Sequence, residues 1–172
     1  MKVYLDMDGV LVDLFRGYEE LTGMTLIEAD KLHGSLSPEV WNPTLAVSEF
    51  WFNLNKTEGR DVLLSYMSDN HPADKTFILS APLRLQMASC IEQKRKWAEV
   101  HTHLYDEHVH IVPRKNKVDF AWCMENDAPN ILVDDYIKNI EEWESRGGIG
   151  IHHTDIENTL LELHYLLGEQ NA

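Results

Sequence analysis

The sequence predicts an α/β fold: a Rossmann-like parallel sheet with helices on both faces and a small, mostly helical segment inserted after the first strand. Three observations carry this. Short apolar runs alternate with stretches of helical spacing, the pattern of strand–helix–strand units. Several of those runs end in reactive groups, "KVYLD" and "ILVDD" in acids and "TFILS" in a hydroxyl, and open parallel sheets gather such strand ends at one edge. Residues 24–75 interrupt the alternation, with Pro38, Pro43 and Pro72, the aromatics Trp41, Phe50, Trp51 and Phe52, and no clean strand. The expected division is a core of residues 1–13 and 76–172 and a helical cap of residues 14–75.

Each element follows from local pattern. Residues 2–6 form a strand that runs into a glycine turn, and residues 11–23 read as a helix ended by Gly23. After the insertion, residues 76–82 are a strand stopped by Pro82. Residues 83–103 carry Leu83, Met87, Cys90, Ile91, Lys94 and Trp97 at helical spacing. Residues 108–113 are a third strand, 117–124 a short helix and 130–135 a fourth strand. Residues 136–148 place Ile137, Ile140 and Trp143 at steps of three and exit on glycine. Residues 149–154 are a last strand. Thr154 with Glu157 reads as a capping box for a final helix whose one face holds Ile156, Leu160, Leu163 and Leu167.

Composition narrows the function classes. The 172 residues suffice for one domain with a real core and a small insertion, and 44% hydrophobic content is ordinary for a globular chain. No apolar run approaches the ~20 residues of a membrane helix. The start, "MKVYLDMDG", is not a signal peptide, and Cys90 and Cys123 lack CxxC spacing, so a reducing cytoplasm is expected. A net charge of −14 argues against duplex nucleic acid and anionic membranes as partners. A small anion is still permitted, because Arg84, Lys94, Arg95, Lys96, Arg114, Lys115 and Lys117 fall in one central stretch.

The strand ends deliver Asp6 and Asp8, then Ser80, then the basic residues of 114–117, then Asp134 and Asp135. Two carboxylates so close together raise one another's pKa unless a cation holds them. Carboxylates from separate strands suit Mg²⁺, a hard ion that takes oxygen ligands. One carboxylate of such a pair can also attack phosphorus while the other carries a proton.

The ordered set "DMDGV", "ILSAP", a lysine and "ILVDD" resembles the four motifs of the haloacid dehalogenase (HAD) superfamily over nearly the whole chain. A second aspartate in DxDG marks its phosphatases. The chain is most similar to the 5′(3′)-deoxyribonucleotidase-like group, with "FWFNL" (50–54), "LSAPLR" (79–84), Lys94 with Trp97, and "LVDD" (132–135) as counterparts. It departs from that group at Ala81, where serine is frequent, and at Tyr136, where arginine is common. The resemblance implies the following roles. Asp6 is nucleophile and Mg²⁺ ligand. Asp8 protonates the leaving oxygen, activates water and lends its backbone carbonyl to the metal. Ser80, with Ala81 and Gly9, binds the phosphoryl group, and Lys117 neutralises it, with Lys115 the competing lysine. Asp134 is a direct metal ligand and Asp135 binds through water or indirectly.

The insertion is then a cap that chooses the leaving group. Phe15, Trp41, Phe50, Trp51, Phe52 and Arg84 are its candidates for substrate contact, with the cap's own core as the competing use of the aromatics. Asp13 reads as a helix residue and not as a ligand. His101, His103, His108 and His110 either hold a transition metal or form a solvated turn. The expected activity is Mg²⁺-dependent hydrolysis of a nucleoside monophosphate, in the first instance a deoxyribonucleotide, through an aspartyl-phosphate. A sugar phosphate or a nucleic-acid 3′-phosphate is the alternative substrate, and a binding module without turnover the alternative class. A small phosphoester is the expected partner, with a homodimer left open.

Overall fold

The computed structural model describes residues 1–34 and 37–168. The chain runs through β1 (Val3–Leu5), α1 (Leu14–Thr22), α2 (Leu26–His33), α3 (Pro38–Leu45), α4 (Arg60–Asn70), β2 (Thr76–Ser80) and α5 (Met87–His101). It continues through β3 (Val109–Ile111), β4 (Trp122–Cys123), β5 (Ala128–Pro129), β6 (Ile131–Asp134), α6 (Ile137–Glu144), β7 (Ile149–His152) and α7 (Ile156–Gly168). The main sheet has five parallel strands in the order β3-β2-β1-β6-β7. The chain starts in the middle, walks outward to β3, then crosses back to lay β6 on the other side of β1. Such a reversal opens a crevice at the carboxyl ends of the two central strands.

Alternation along each strand sends side chains to opposite faces. Val3, Leu5, Ile78, Ile131 and Val133 join one cluster with Cys90, Trp97 and Ala98 of α5, Leu63 and Met67 of α4, and Leu163 and Leu167 of α7. Tyr4, Phe77, Leu79 and Leu132 face the other way and pack with Ala121 and with Ile140 and Trp143 of α6. Both faces are covered, so the strands read as unbroken apolar runs in the sequence. The architecture is the expected Rossmann-like α/β sheet.

The inserted residues divide by packing. Tyr18, Ala29 and Val40, from α1 to α3, make a small cluster of their own. Leu63 and Met67 of α4 lie in the main core. Helix α1 is started by Asp13, whose side chain accepts from Arg16 N at 3.1 Å, and stopped by Gly23 at φ 70°.

Two local expectations are corrected. Residues 117–124 are not a helix: a 3-10 turn spans Arg114–Phe120, and Trp122–Cys123 then pairs antiparallel with Ala128–Pro129. Asn130 enforces the change, its Nδ2 donating to Phe120 O and its N–H to Ala121 O, both at 2.9 Å. Helix α7 is not started by a Thr154–Glu157 box. Asp155 does this, accepting from Asn158 N at 2.8 Å, while Thr154 Oγ1 donates to Asp155. No helix among the described residues is long and apolar enough to cross a membrane.

Candidate active site

The turn after β1 is folded tightly by one acceptor. Met7 O receives the N–H groups of Val10, Leu11 and Val12 at 3.2, 2.8 and 2.8 Å. Met7, Val10, Leu11 and Val12 are all buried, so the loop is anchored from beneath. Gly9 sits at φ 78°, and a Cβ there would lie 2.1 Å from Asp135 Oδ2. Only glycine meets both demands, the left-handed conformation and the close approach to the end of β6.

That approach assembles the acids. The N–H of Asp6 donates to Val133 O at 2.9 Å, extending the β1–β6 pairing by one residue. Carboxylate oxygens of Asp6, Asp134 and Asp135 lie within 4.8 Å of one another, a group that could hold a metal ion. Lys117 is buried among them, its Nζ 2.8 Å from Asp134 Oδ2 and 3.0 Å from Asp6 Oδ1. Burial works against the lysine's charge, but Asp6 and Asp134 outweigh it and raise its pKa. Lys115 is exposed, so Lys117 is the lysine brought to the acids.

One lysine does not balance three carboxylates. Burial and then the Asp6 charge push Asp134 up to about 6, against the opposing pull of Lys117. Asp135 is pushed up to about 8 by burial and by Asp6, Asp134 and Asp8. The donor set is all oxygen, partly buried and short of positive charge, which fits a hard divalent cation such as Mg²⁺. The Asp135 carboxylate lies in the same group as those of Asp6 and Asp134.

Asp8 is held separately, by Lys94. The lysine lies on the buried face of α5, 1% exposed. Its Nζ donates to Asp8 Oδ2 at 2.5 Å and to Ser80 Oγ and Ala81 O, both at 3.0 Å. It also lies 5.1 Å from the centre of the Trp51 ring. Burial raises the pKa of Asp8, with Lys94 opposing and Asp6 adding to the rise. Asp8 Oδ1 is enclosed and has no hydrogen-bond partner among the described residues.

The same helix positions the aromatic segment 50–54. Trp97, three residues after Lys94 on the same face, donates Nε1–H to Leu54 O at 2.9 Å. Gln93 Oε1 accepts from Trp51 N at 3.0 Å and from Phe52 N at 3.4 Å. Trp51 is thereby held over a cleft of about 390 Å³, lined by Asp8, Leu14, Trp41, Trp51, Arg84 and Arg114 among others. Arg114 is braced by Glu142 Oε1 and Oε2 at 2.8 and 3.0 Å and by Asn139 Oδ1 at 2.8 Å. Asn139 Nδ2 in turn donates to both Asp134 oxygens, at 3.0 and 2.9 Å.

Of the residues singled out from the sequence, Asp6, Lys117, Asp134 and Asp135 meet in one cluster, and Asp8 and Ser80 meet on Lys94. Trp41, Trp51, Ala81 and Arg84 line the cleft, but Phe15 and Phe50 do not. Phe15 is exposed, and Phe50 is packed in the main core. Gly9 was expected to bind phosphate, yet its N–H donates to Val12 O at 2.8 Å, and its part in the site is the close approach to Asp135. Asn139 was not singled out from the sequence, while Lys94 was named there only for its helical spacing, its charge and its pairing with Trp97, and Arg114 only among the central basic residues.

The histidines of 101–110 scatter. His108 and His110 pack on Phe77, with ring centres 4.7 and 5.6 Å away, and His101 on Trp97 at 4.8 Å. Among the described residues no histidine joins a candidate metal group.

No protein-family model matches the chain, and no curated protein matches it either. A solved structure does: the crystal structure of a hydrolase from Streptococcus pneumoniae TIGR4 superposes with a TM-score of 0.51 at 14% sequence identity. The match covers 97% of each chain, so the two share the fold from end to end.

Proposed function

We propose that the chain is a Mg²⁺-dependent phosphomonoesterase of haloacid dehalogenase type, acting on nucleoside monophosphates. The observation that carries this is the convergence, at the β1–β6 crevice, of the Asp6, Asp134 and Asp135 carboxylates with buried Lys117, beside a second acid on its own lysine. The like-folded neighbour is called a hydrolase, which agrees with this reading.

Asp6, Asp134 and Asp135 would hold the Mg²⁺, which supplies charge neutralisation to the phosphoryl oxygens. Asp6 Oδ attacks phosphorus and the ester P–O bond breaks, giving an aspartyl-phosphate. The departing oxygen takes the proton of Asp8, whose raised pKa suits it to carry one. Asp8, now a carboxylate, removes a proton from water as that water attacks phosphorus, releasing inorganic phosphate and restoring Asp6. Lys117 keeps Asp6 aligned and offsets charge on the transferring group. Lys94 fixes Asp8 in place.

The leaving group would lie in the 390 Å³ cleft, within the usual range for small-molecule sites. Trp41, half-buried, offers flat apolar surface to a base, with the buried Trp51 ring 6.3 Å away and inclined by 30°. Arg84 adds positive charge to the cleft lining, against the −14 of the chain, beside Arg114 on its Glu142 partner.

The test is phosphate release from a panel of nucleoside monophosphates and sugar phosphates with Mg²⁺. Preference for nucleotides is expected, with Asp6→Asn lowering kcat by ~10⁴-fold or more. Phosphate release by Asp6→Asn at the wild-type rate, or none from any ester, would overturn the reading.

A further inference from the structure

A second cavity, of about 540 Å³, lies between the 52–56 segment and the end of α5. Lys56, Arg60, His101, Asn53 and Asn55 supply its polar lining, and none of them lines the catalytic cleft. Every one of these side chains can donate a hydrogen bond, and none is an acid.

Arg60 makes the strongest case. It is buried, 9% exposed, with its guanidinium carbon 5.7 Å over the Trp97 ring. One terminal nitrogen pairs with Asp61 and the other donates to His101 O. Its Nε is enclosed with no partner among the described residues. A buried donor left idle is costly, which makes it a sign of an absent acceptor. Lys56 pairs with Asp61 but is about half exposed and keeps further donors. Asn53 and Asn55 are exposed and add amide donors at the rim. The acid at this place is Asp61, shared by Lys56 and Arg60, so one positive charge remains uncompensated. Burial, Arg60 and Lys56 lower the pKa of His101, which favours its neutral ring, and that ring keeps one N–H donor.

We propose that this pocket binds a phosphate group, free or as the terminal phosphate of a small ester, at a site separate from the carboxylate cluster. A tetrahedral oxyanion matches a ring of donors with an ammonium and a guanidinium. Phe52 and Val100 give the cavity an apolar wall for an ester's organic part. The pocket wall is tied to the turn that carries Asp8. Asn55 O accepts from Asp13 N at 2.8 Å, and Thr57 donates to Leu11 O and Val10 O at 3.1 and 2.7 Å.

The test is amide-resolved NMR titration of the full chain in EDTA, with inorganic phosphate in one arm and a nucleoside monophosphate in the other. Amides of residues 53–55 and 100–102 are expected to shift saturably, with Kd on the order of 1 mM. Lys56→Gln, at an exposed position, and His101→Gln should each weaken this response by about tenfold. Amides of residues 6–10 should respond as in the wild type, so this site and the catalytic reading fail independently. Tighter binding of the ester assigns the apolar wall to its organic part, and equal binding assigns recognition to phosphate alone. No saturation by roughly 50 mM in either arm, or shifts unchanged in both variants, overturns the proposal and leaves Arg60 Nε to water.

Discussion

Lys94 shows how a single side chain can link elements far apart in sequence. Its Nζ joins Asp8 in the first turn, Ser80 at the end of β2 and the Ala81 carbonyl after it. Removing the ammonium leaves a carboxylate and a hydroxyl facing each other without the charge between them. Lys94→Met should therefore lower kcat by about 10²-fold, the scale of a misplaced proton carrier, as steady-state kinetics would show. It should also cost about 1–3 kcal/mol in urea denaturation, below the value for a fully buried pair because Asp8 is about a quarter exposed. Lys117→Met should cost more, about 3–5 kcal/mol in the same experiment, because both of its partners are buried. The acids were legible in the sequence because each ends an apolar run. The contacts of Lys94 and Asn139 were not, because both lie inside helices, where spacing says which face is buried but not what the buried polar atom touches.

At the scale of elements, the strands announced themselves by apolar runs with Gly, Pro or acidic stops, and the longer helices by their periodic faces. The β4–β5 hairpin did not, since two-residue strands are too short to show alternation. Caps were legible where geometry leaves little choice, as with Gly23, and one residue out at α7, where Thr154 and Asp155 both fit the pattern. The observed Asp155 cap carries a prediction. Asp155→Ala should lower Tm by about 2–4 °C near pH 7, measured by thermal denaturation. The Asp155 pKa is lowered, chiefly by the hydrogen bond from Asn158 N. A depressed folded pKa stabilises above the unfolded value of about 4 and ceases to as pH falls through the folded value. The difference between variant and wild type should accordingly persist at neutral pH and shrink below about pH 4.

Across the whole molecule, the five-stranded order sets the acids against one another before any ligand arrives. Asp6 follows β1 and Asp134 ends β6, on adjacent strands, so their repulsion is a load on the folded state that a cation would relieve. Saturating Mg²⁺ should raise Tm by about 5–10 °C at a hundredfold excess over Kd, read by differential scanning fluorimetry. Asp134→Asn should remove most of that shift. The parallel sheet was legible because strands and helices alternate. The packing of α4 into the main core was not, since its apolar residues Leu63 and Met67 look no different from those of a separate cap. The strand order also bears on how the chain is made. β1 lies between β2 and β6, and Lys2 N reaches Asn130 Oδ1 across 128 positions of sequence. On the ribosome the first strand is synthesised long before one of its two neighbours exists, so the carboxylates that follow it wait for their partner acids until the fourth strand of the sheet emerges. Long-range pairing of this kind is slow. The acid cluster is complete only once β6 is in place, so a chain stalled before Ile131 holds both aspartates of the first motif without Asp134 and Asp135.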